Sequence, residues 1–91
     1  MPEMKVGDVI GVKCQVQPGP FSDELVITVE TTTGPISGFV RRDHLRETKD
    51  GWLVRAVVLE MRPNEIQVDI EGSFFTTNGV ASVSQHMAMA A

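Results

Sequence analysis

Cysteine, aromatic residues and long apolar runs are all scarce in this chain of 91 residues. A single cysteine, Cys14, excludes an intrachain disulfide and a cysteine-based zinc site. No apolar run reaches the roughly 18–20 residues that span a bilayer, and no basic segment followed by an apolar one marks a secretory signal. We therefore expect a reduced, cytoplasmic protein with no membrane segment.

Leucine and alanine, which favour helices, are also few. Four leucines stand against 13 valines and five isoleucines, and three of the five alanines fall in the last four residues. Branching at Cβ restricts a side chain in a helix but packs well on a pleated sheet. The composition therefore predicts an all-β protein, since no segment could host a long helix.

Apolar and polar residues alternate with a period of two along most of the chain, which is the pattern of half-buried strands. The expected strands cover residues 10–17, 24–32, 36–40, 52–61, 65–71, 74–77 and 80–84. Short links between them predict a small single-domain β-barrel over residues 1–91, OB-like or SH3-like, with six to seven mostly antiparallel strands. One short helical turn is expected near 42–47, with Leu45 buried beneath it.

Glycines and the chain ends refine this expectation. Gly38, in the middle of a strand, predicts a bulge or a sharp bend. Asn78-Gly79 predicts a type I′ hairpin between residues 74–77 and 80–84. Loose ends are expected at 1–6 and 85–91, although Met87 and Met89 could instead cover an open end of the barrel.

The order of the first five strands resembles the S1-type oligonucleotide-binding barrel over residues 7–71. The resemblance rests on Gly7-Asp8-Val9-Ile10, Gly38-Phe39-Val40-Arg41 and the turn Asp43-His44-Leu45, followed by two paired strands. It implies a small barrel. In that family, aromatic or histidine side chains on the second and third strands face RNA, whereas the second strand here has none, so the resemblance supports the fold more than RNA binding.

Basic residues are concentrated in one part of the chain, and the chain as a whole has a net charge of −4. Residues 39–62 carry a net charge of +2 and the remainder −6, with no lysine or arginine after Arg62. One interpretation makes Arg41, Arg42 and Arg46 a patch that binds anions through their planar guanidinium groups. The alternative is a solvated turn in which these arginines pair with nearby carboxylates. The acidic balance disfavours a general nucleic-acid binder, whose affinity depends on phosphate contacts.

Five aromatic side chains are available for contacts. Phe39 and Trp52 are expected in the core, with Trp52 close to a rim. Phe21 lies in a proline-rich loop, and adjacent Phe74 and Phe75 must point to opposite faces of a strand. The hydroxyl and amide side chains of residues 72–79 have two interpretations. Either they bind a polar ligand, or they only reflect the preference of threonine for strands and of Asn-Gly for turns.

Residues suited to catalysis do not form a recognisable set. Cys14 falls on the apolar side of its strand, which predicts an inert thiol. His44 lies beside arginines and His86 near the end of the chain, and the sequence offers no metal-ligand spacing and no phosphate-binding glycine loop. We expect neither enzymatic activity nor a cofactor or metal.

The function predicted from the sequence is that of a non-catalytic binding module for a protein partner or for a second copy of itself. The alternative is a single-stranded nucleic-acid-binding domain of the OB type, although weak or no nucleic-acid binding is expected. A small-ligand barrel ranks last because the interior of so short a chain is small. The candidate partner-binding residues are Phe21, Arg41, Arg42, His44, Arg46, Trp52 and Arg55.

Overall fold

A computed structural model describes residues 4–20, 22–75 and 77–90. Within these residues the chain forms nine antiparallel strands and two single 3₁₀ turns, at Arg42–His44 and Gln85–Met87. The strands are β1 (Val9–Pro18), β2 (Glu24–Thr31), β3 (Gly34–Arg41), β4 (Leu45–Thr48), β5 (Gly51–Met61), β6 (Glu65–Ile70), β7 (Ser73–Phe74), β8 (Val80–Ser84) and β9 (Ala88–Ala90). In the part of the chain described, no helix has the length and apolar character needed to cross a membrane.

All nine strands belong to one curled sheet, which confirms the predicted all-β barrel class. The main order is β7-β3-β2-β1-β5-β6-β8, while β4 pairs with β5 and β9 pairs with β1. The curl brings β8, at one end of the sheet, close to the end of β2, where the Thr32 amide donates to the Ser82 carbonyl at 2.9 Å. The short strands β4 and β9 raise the number above the six to seven expected, because three or four residues give too short an alternation to predict. The strand expected at 74–77 is β7, which covers only Ser73–Phe74.

The inner face of the sheet is packed with β-branched side chains, as the alternation predicts. No polar or charged described residue is buried there. The helical turn covers only Arg42–His44, shorter than the 42–47 expected, and Leu45 lies in β4, where it is half-buried and packs against this core. The core cluster consists of Ile10, Val12, Ile27, Val29, Val40, Val54, Ala56, Val58, Ile66, Val68, Ile70, Val83 and Ala88.

The predicted hairpin at Asn78-Gly79 is wrong. β7 pairs with β3, and β8 pairs with β6 in the register Asp69↔Val80. No described non-glycine residue has positive φ, so Asn78 does not adopt the type I′ conformation. Its side chain instead accepts a hydrogen bond from the Val80 amide at 3.1 Å, a local turn that competes with the hairpin.

Gly38 does not mark a bulge, because β2 and β3 pair without interruption from Glu24↔Arg41 to Thr31↔Gly34. A Cβ atom on Gly38 would lie 2.5 Å from the Ser73 carbonyl oxygen and 2.6 Å from Phe74 Cα. This glycine therefore permits the close approach of β7. The register shift of the sheet falls instead on β5, between Val58 and Glu60.

The segment expected to form a loose C-terminal end contains regular structure up to residue 90. Residues Gln85–Met87 form the second 3₁₀ turn, and β9 then pairs with β1 in the register Gly11↔Met89. Met87 packs against the core, whereas Met89 is exposed. Backbone pairing with β1 therefore organises this segment, which the uncharged sequence alone did not predict.

Candidate binding groove

Strand β5 changes neighbours along one edge, and this change creates a junction at Arg55. On that edge Gly51–Val54 pair with β4, whereas residues from Ala56 onward pair with β6. Between the two, the Glu71 amide donates to the Arg55 carbonyl at 3.1 Å. The 3₁₀ turn that precedes β4 and the residue that follows β6 therefore meet beside Arg55.

Next to this junction lies a groove with an apolar floor and a volume of about 260 Å³. Register pairs Gly11 with Arg55 and Lys13 with Leu53, so these four residues share the outer face of the sheet. Leu53 covers the space left by Gly11, where a Cβ atom would lie 3.0 Å from Leu53 Cδ1. The lining residues are Val9, Ile10, Gly11, Asp43, His44, Leu45, Arg46, Leu53, Val54 and Arg55.

Three cationic residues border this floor. Lys13 and Arg46 both pair with Leu53, one from each side, so each Cα lies about 5 Å from that of Leu53. Arg55 is two residues further along β5 and points to the same face. Arg46 is exposed and forms no ion pair with any other residue described here. Three cationic side chains thus lie around a buried leucine in a chain whose net charge is −4.

Two carboxylates hold the rim of the groove in place. Glu71 contacts His44 Nε2 at 3.3 Å and Arg55 Nε at 3.7 Å. Asp43 lies 3.3 Å from the Arg41 guanidinium and 3.9 Å from His44 Nε2. Sequence reasoning missed Glu71, whose role depends on the register of β6 against β5. A carboxylate at the end of a strand predicted to pair with β5 was the signal that could have identified it.

Four of the predicted site residues come together in this region. His44, Arg46 and Arg55 line the groove, and Arg41 joins its rim through Asp43. The alternative interpretation, in which the arginines pair with nearby carboxylates, therefore applies to Arg41. Arg46 has no such partner among the described residues, so its guanidinium is available to bind a ligand.

The other three predicted residues do not share this groove. Arg42 lies away from it, in a separate depression bordered by Pro18 and Glu24. Trp52 pairs with Cys14 and Glu47 and alternates with Leu53 along β5, so its half-buried ring faces the opposite side of the sheet. Phe21 lies outside the described residues. Arg41, Arg42 and Arg46 therefore do not form a single patch.

Cys14 and His86, the other side chains considered for catalysis, do not line the groove. Burial raises the pKa of the Cys14 thiol to about 12, so the thiol stays protonated near neutral pH. His86 is exposed on the second 3₁₀ turn. Among the residues that the structure describes, no group of three His, Cys, Asp or Glu side chains could hold a metal ion.

Alkylation of Cys14 by iodoacetamide should be slow in the folded protein. The thiolate is the reactive form, and a pKa near 12 rather than 9.0 lowers its fraction at pH 8 by about a thousandfold. The rate should rise about tenfold per pH unit above pH 8 for as long as the protein stays folded. Mass spectrometry against the urea-unfolded chain tests this, and equal rates for the two states would contradict it.

Comparison with known proteins gives no relative from which to transfer a function. A scan against protein-family models, a search of curated proteins and a search of solved structures each find no match to this chain.

Proposed function

We propose that this protein is a non-catalytic interaction module whose groove binds an acidic and apolar segment of a partner protein. The observation that carries the proposal is the apolar floor at Gly11 and Leu53 bordered by Lys13, Arg46 and Arg55. An apolar surface bordered by three cationic side chains favours a ligand that combines an apolar side chain with negative charge.

Each part of such a segment has a counterpart in the groove. An apolar side chain of the partner would pack on Val9, which is 41% exposed, and on the edge of Leu53. A neighbouring carboxylate would accept two parallel hydrogen bonds from the Arg46 guanidinium. Arg55 contacts Glu71 through Nε, which leaves its terminal NH₂ groups without an ion-pair partner among the described residues. A contact of this small size is expected to be weak, with a Kd on the order of 10 µM.

The groove favours a peptide over the alternative ligand, a single strand of nucleic acid. Its lining contains no phenylalanine, tyrosine or tryptophan ring on which a base could stack, and the His44 imidazole is held between Asp43 and Glu71. Asp43 and Glu71 on the rim would repel a phosphate backbone, whose charge is much denser than that of a peptide with spaced carboxylates.

Fluorescence anisotropy with labelled peptides of about eight residues tests the proposal, where a Kd on the order of 10 µM is readily measured. A peptide of alternating Asp and Leu should bind more tightly than one of alternating Asp and Ser, which lacks the apolar part, or of alternating Lys and Leu, which has the wrong charge. We expect Arg46→Glu to weaken the first peptide at least about tenfold, because it replaces an attraction with a repulsion.

Lys49→Glu is the matched control, because Lys49 is exposed in the β4–β5 turn and does not line the groove. It makes the same change in net charge and should alter the affinity less than about twofold, since surface charges beyond a Debye length are screened. Equal losses in both variants would indicate attraction by net charge alone and contradict the proposal. Tighter binding of oligo-dT than of the Asp-Leu peptide would favour the nucleic-acid alternative.

A further inference from the structure

A second surface, covering part of the outer side of β1, β2, β3 and β7, is built from uncharged side chains. The register places its side chains in two adjacent rows, each crossing all four strands. The last member of the first row is placed by the Phe75 amide, which donates to the Ser37 carbonyl at 3.0 Å. One row consists of Gln15, Thr28, Ser37 and Phe75, and the other of Gln17, Val26, Phe39 and Ser73. We call these eight residues the neutral face.

An exposed aromatic ring stands at one side of the neutral face. Phe75 is 56% exposed, although most large apolar side chains of the chain are buried or half-buried. Its ring meets that of Phe39 edge-on, with centroids 5.1 Å apart and planes at 75°. This contact holds the Phe75 ring in a defined orientation. Phe39 therefore lies outside the core in which the sequence placed it.

The rest of the neutral face consists mainly of uncharged hydrogen-bonding groups. Gln15 and Gln17 are exposed, and Thr28 Oγ1 lies 2.9 Å from Ser37 Oγ. Charged residues occur only beyond the rows, with the pair Glu24↔Arg41 on one side. The eight neighbouring outer positions are thus all neutral in a chain of which 22% of the residues are charged.

We propose that the neutral face binds a neutral oligosaccharide. The C–H groups on one side of a pyranose ring carry slight positive charge and pack against the negative face of an aromatic ring. Sugar hydroxyls can both donate to and accept from the side-chain amides of Gln15 and Gln17. Phe75 supplies the ring and the glutamines supply the hydrogen bonds across the strands. These residues differ from those of the groove, so this proposal does not depend on the acidic segment proposed above.

The size and charge of the neutral face argue against larger ligands. Four strands span about 14 Å, and two rows lie about 7 Å apart along the strands. That area is far below the roughly 800 Å² that each partner contributes to a stable protein interface. Single-stranded nucleic acid would place phosphates over a surface that has no cation within its eight residues.

Heteronuclear NMR on the ¹⁵N-labelled protein tests this proposal with maltohexaose, cellohexaose and chitohexaose as probes. At least one should shift the amide resonances of β2, β3 and Phe75 selectively, at concentrations up to about 10 mM, which suffices for a Kd near 1 mM. Phe75→Ser should weaken binding about tenfold or more, whereas Phe75→Trp, which keeps an aromatic face, should retain it. Leu59→Ser is the control, since it removes another exposed apolar side chain, on β5, and should leave binding unchanged.

Three results would overturn the proposal. The first is the absence of any shift with all three sugars while the protein remains folded. The second is a selective shift of the neutral face with oligo-dT and with none of the sugars. The third is a shift of the same resonances with protein concentration alone, which would identify a second copy of the chain as the occupant. None of them affects the peptide assay on Arg46.

Discussion

Replacing Gly38 with alanine should detach β7 from the sheet and lower the free energy of unfolding by about 3 kcal/mol. The added methyl group would lie 2.5 Å from the Ser73 carbonyl oxygen and 2.6 Å from Phe74 Cα, both of them backbone atoms. Backbone atoms held by strand pairing cannot move aside as the end of a flexible side chain can. Urea unfolding followed by circular dichroism measures the loss, and the Phe75 amide, which donates to the Ser37 carbonyl, should lose protection from hydrogen exchange.

Gly11→Ala is the matched control for this effect. A methyl group there would also be crowded, but its nearest neighbour is the terminal methyl Cδ1 of Leu53, at 3.0 Å. Cδ1 can move by rotation of the side chain, and Leu53 Cβ, at 3.1 Å, need yield only a few tenths of an ångström, so we expect a loss of about 1 kcal/mol or less. If Gly38→Ala proved as mild as Gly11→Ala, the close approach of β7 to β3 would not be a constraint on the sequence.

Truncating Ile27 to alanine should cost about 4 kcal/mol, a large part of the roughly 5–14 kcal/mol expected for a domain of this length. Ile27 is completely buried and lies in β2, where it faces the centre of the core. Its neighbours are held by strand pairing, so the structure cannot collapse to fill the cavity. The midpoint of urea unfolding should fall with little change in the slope.

Leu59→Ala removes a similar apolar side chain from a site with a different environment. Leu59 lies at the register shift of β5 and is 39% exposed. We expect a loss below about 1 kcal/mol, because this side chain has partners on one side only. Similar losses at Ile27 and Leu59 would mean that the core does not lie on the inner face described.

The long strands and their buried faces could be predicted from the sequence because alternation has an unambiguous period. Leu25, Ile27 and Val29 were expected on one side of β2, and all three are buried. The same reasoning placed Ile66, Val68 and Ile70 together on β6. In both strands burial of one face determines the register, since a slip of one residue would expose all three apolar side chains.

Pairing between distant strands could not be predicted in the same way. Asn78-Gly79 favours a hairpin locally, but the sequence does not reveal that β3 offers β7 a better partner at Gly38. Phe39 was expected in the core because of its size, yet its position between Gly38 and Val40 directs it outward. At Asn78-Gly79, pairing with a distant strand overrode a correct local preference. At Phe39, the alternation of side chains along β3 mattered more than the size of the ring.

The candidate groove was predictable as a set of residue types but not as an arrangement. The excess of arginine in residues 39–62 identified Arg46 and Arg55. That Arg42 faces elsewhere, and that Glu71 bridges His44 and Arg55, follows from the change of neighbours along β5. Charge composition therefore located the region, whereas register determined which side chains share a surface.

The small extent of β7 has a consequence for the motions of the protein. Only two residues of β7 pair with β3, whereas eight residue pairs join β2 and β3. Stability within a fold is uneven, and a strand held by so few hydrogen bonds opens without unfolding the rest. Such an opening would separate Phe75 from Phe39 and would remove Ser73 and Phe75 from the neutral face. A ligand on that face would therefore slow the opening, so that ligand binding would also increase the order of β7.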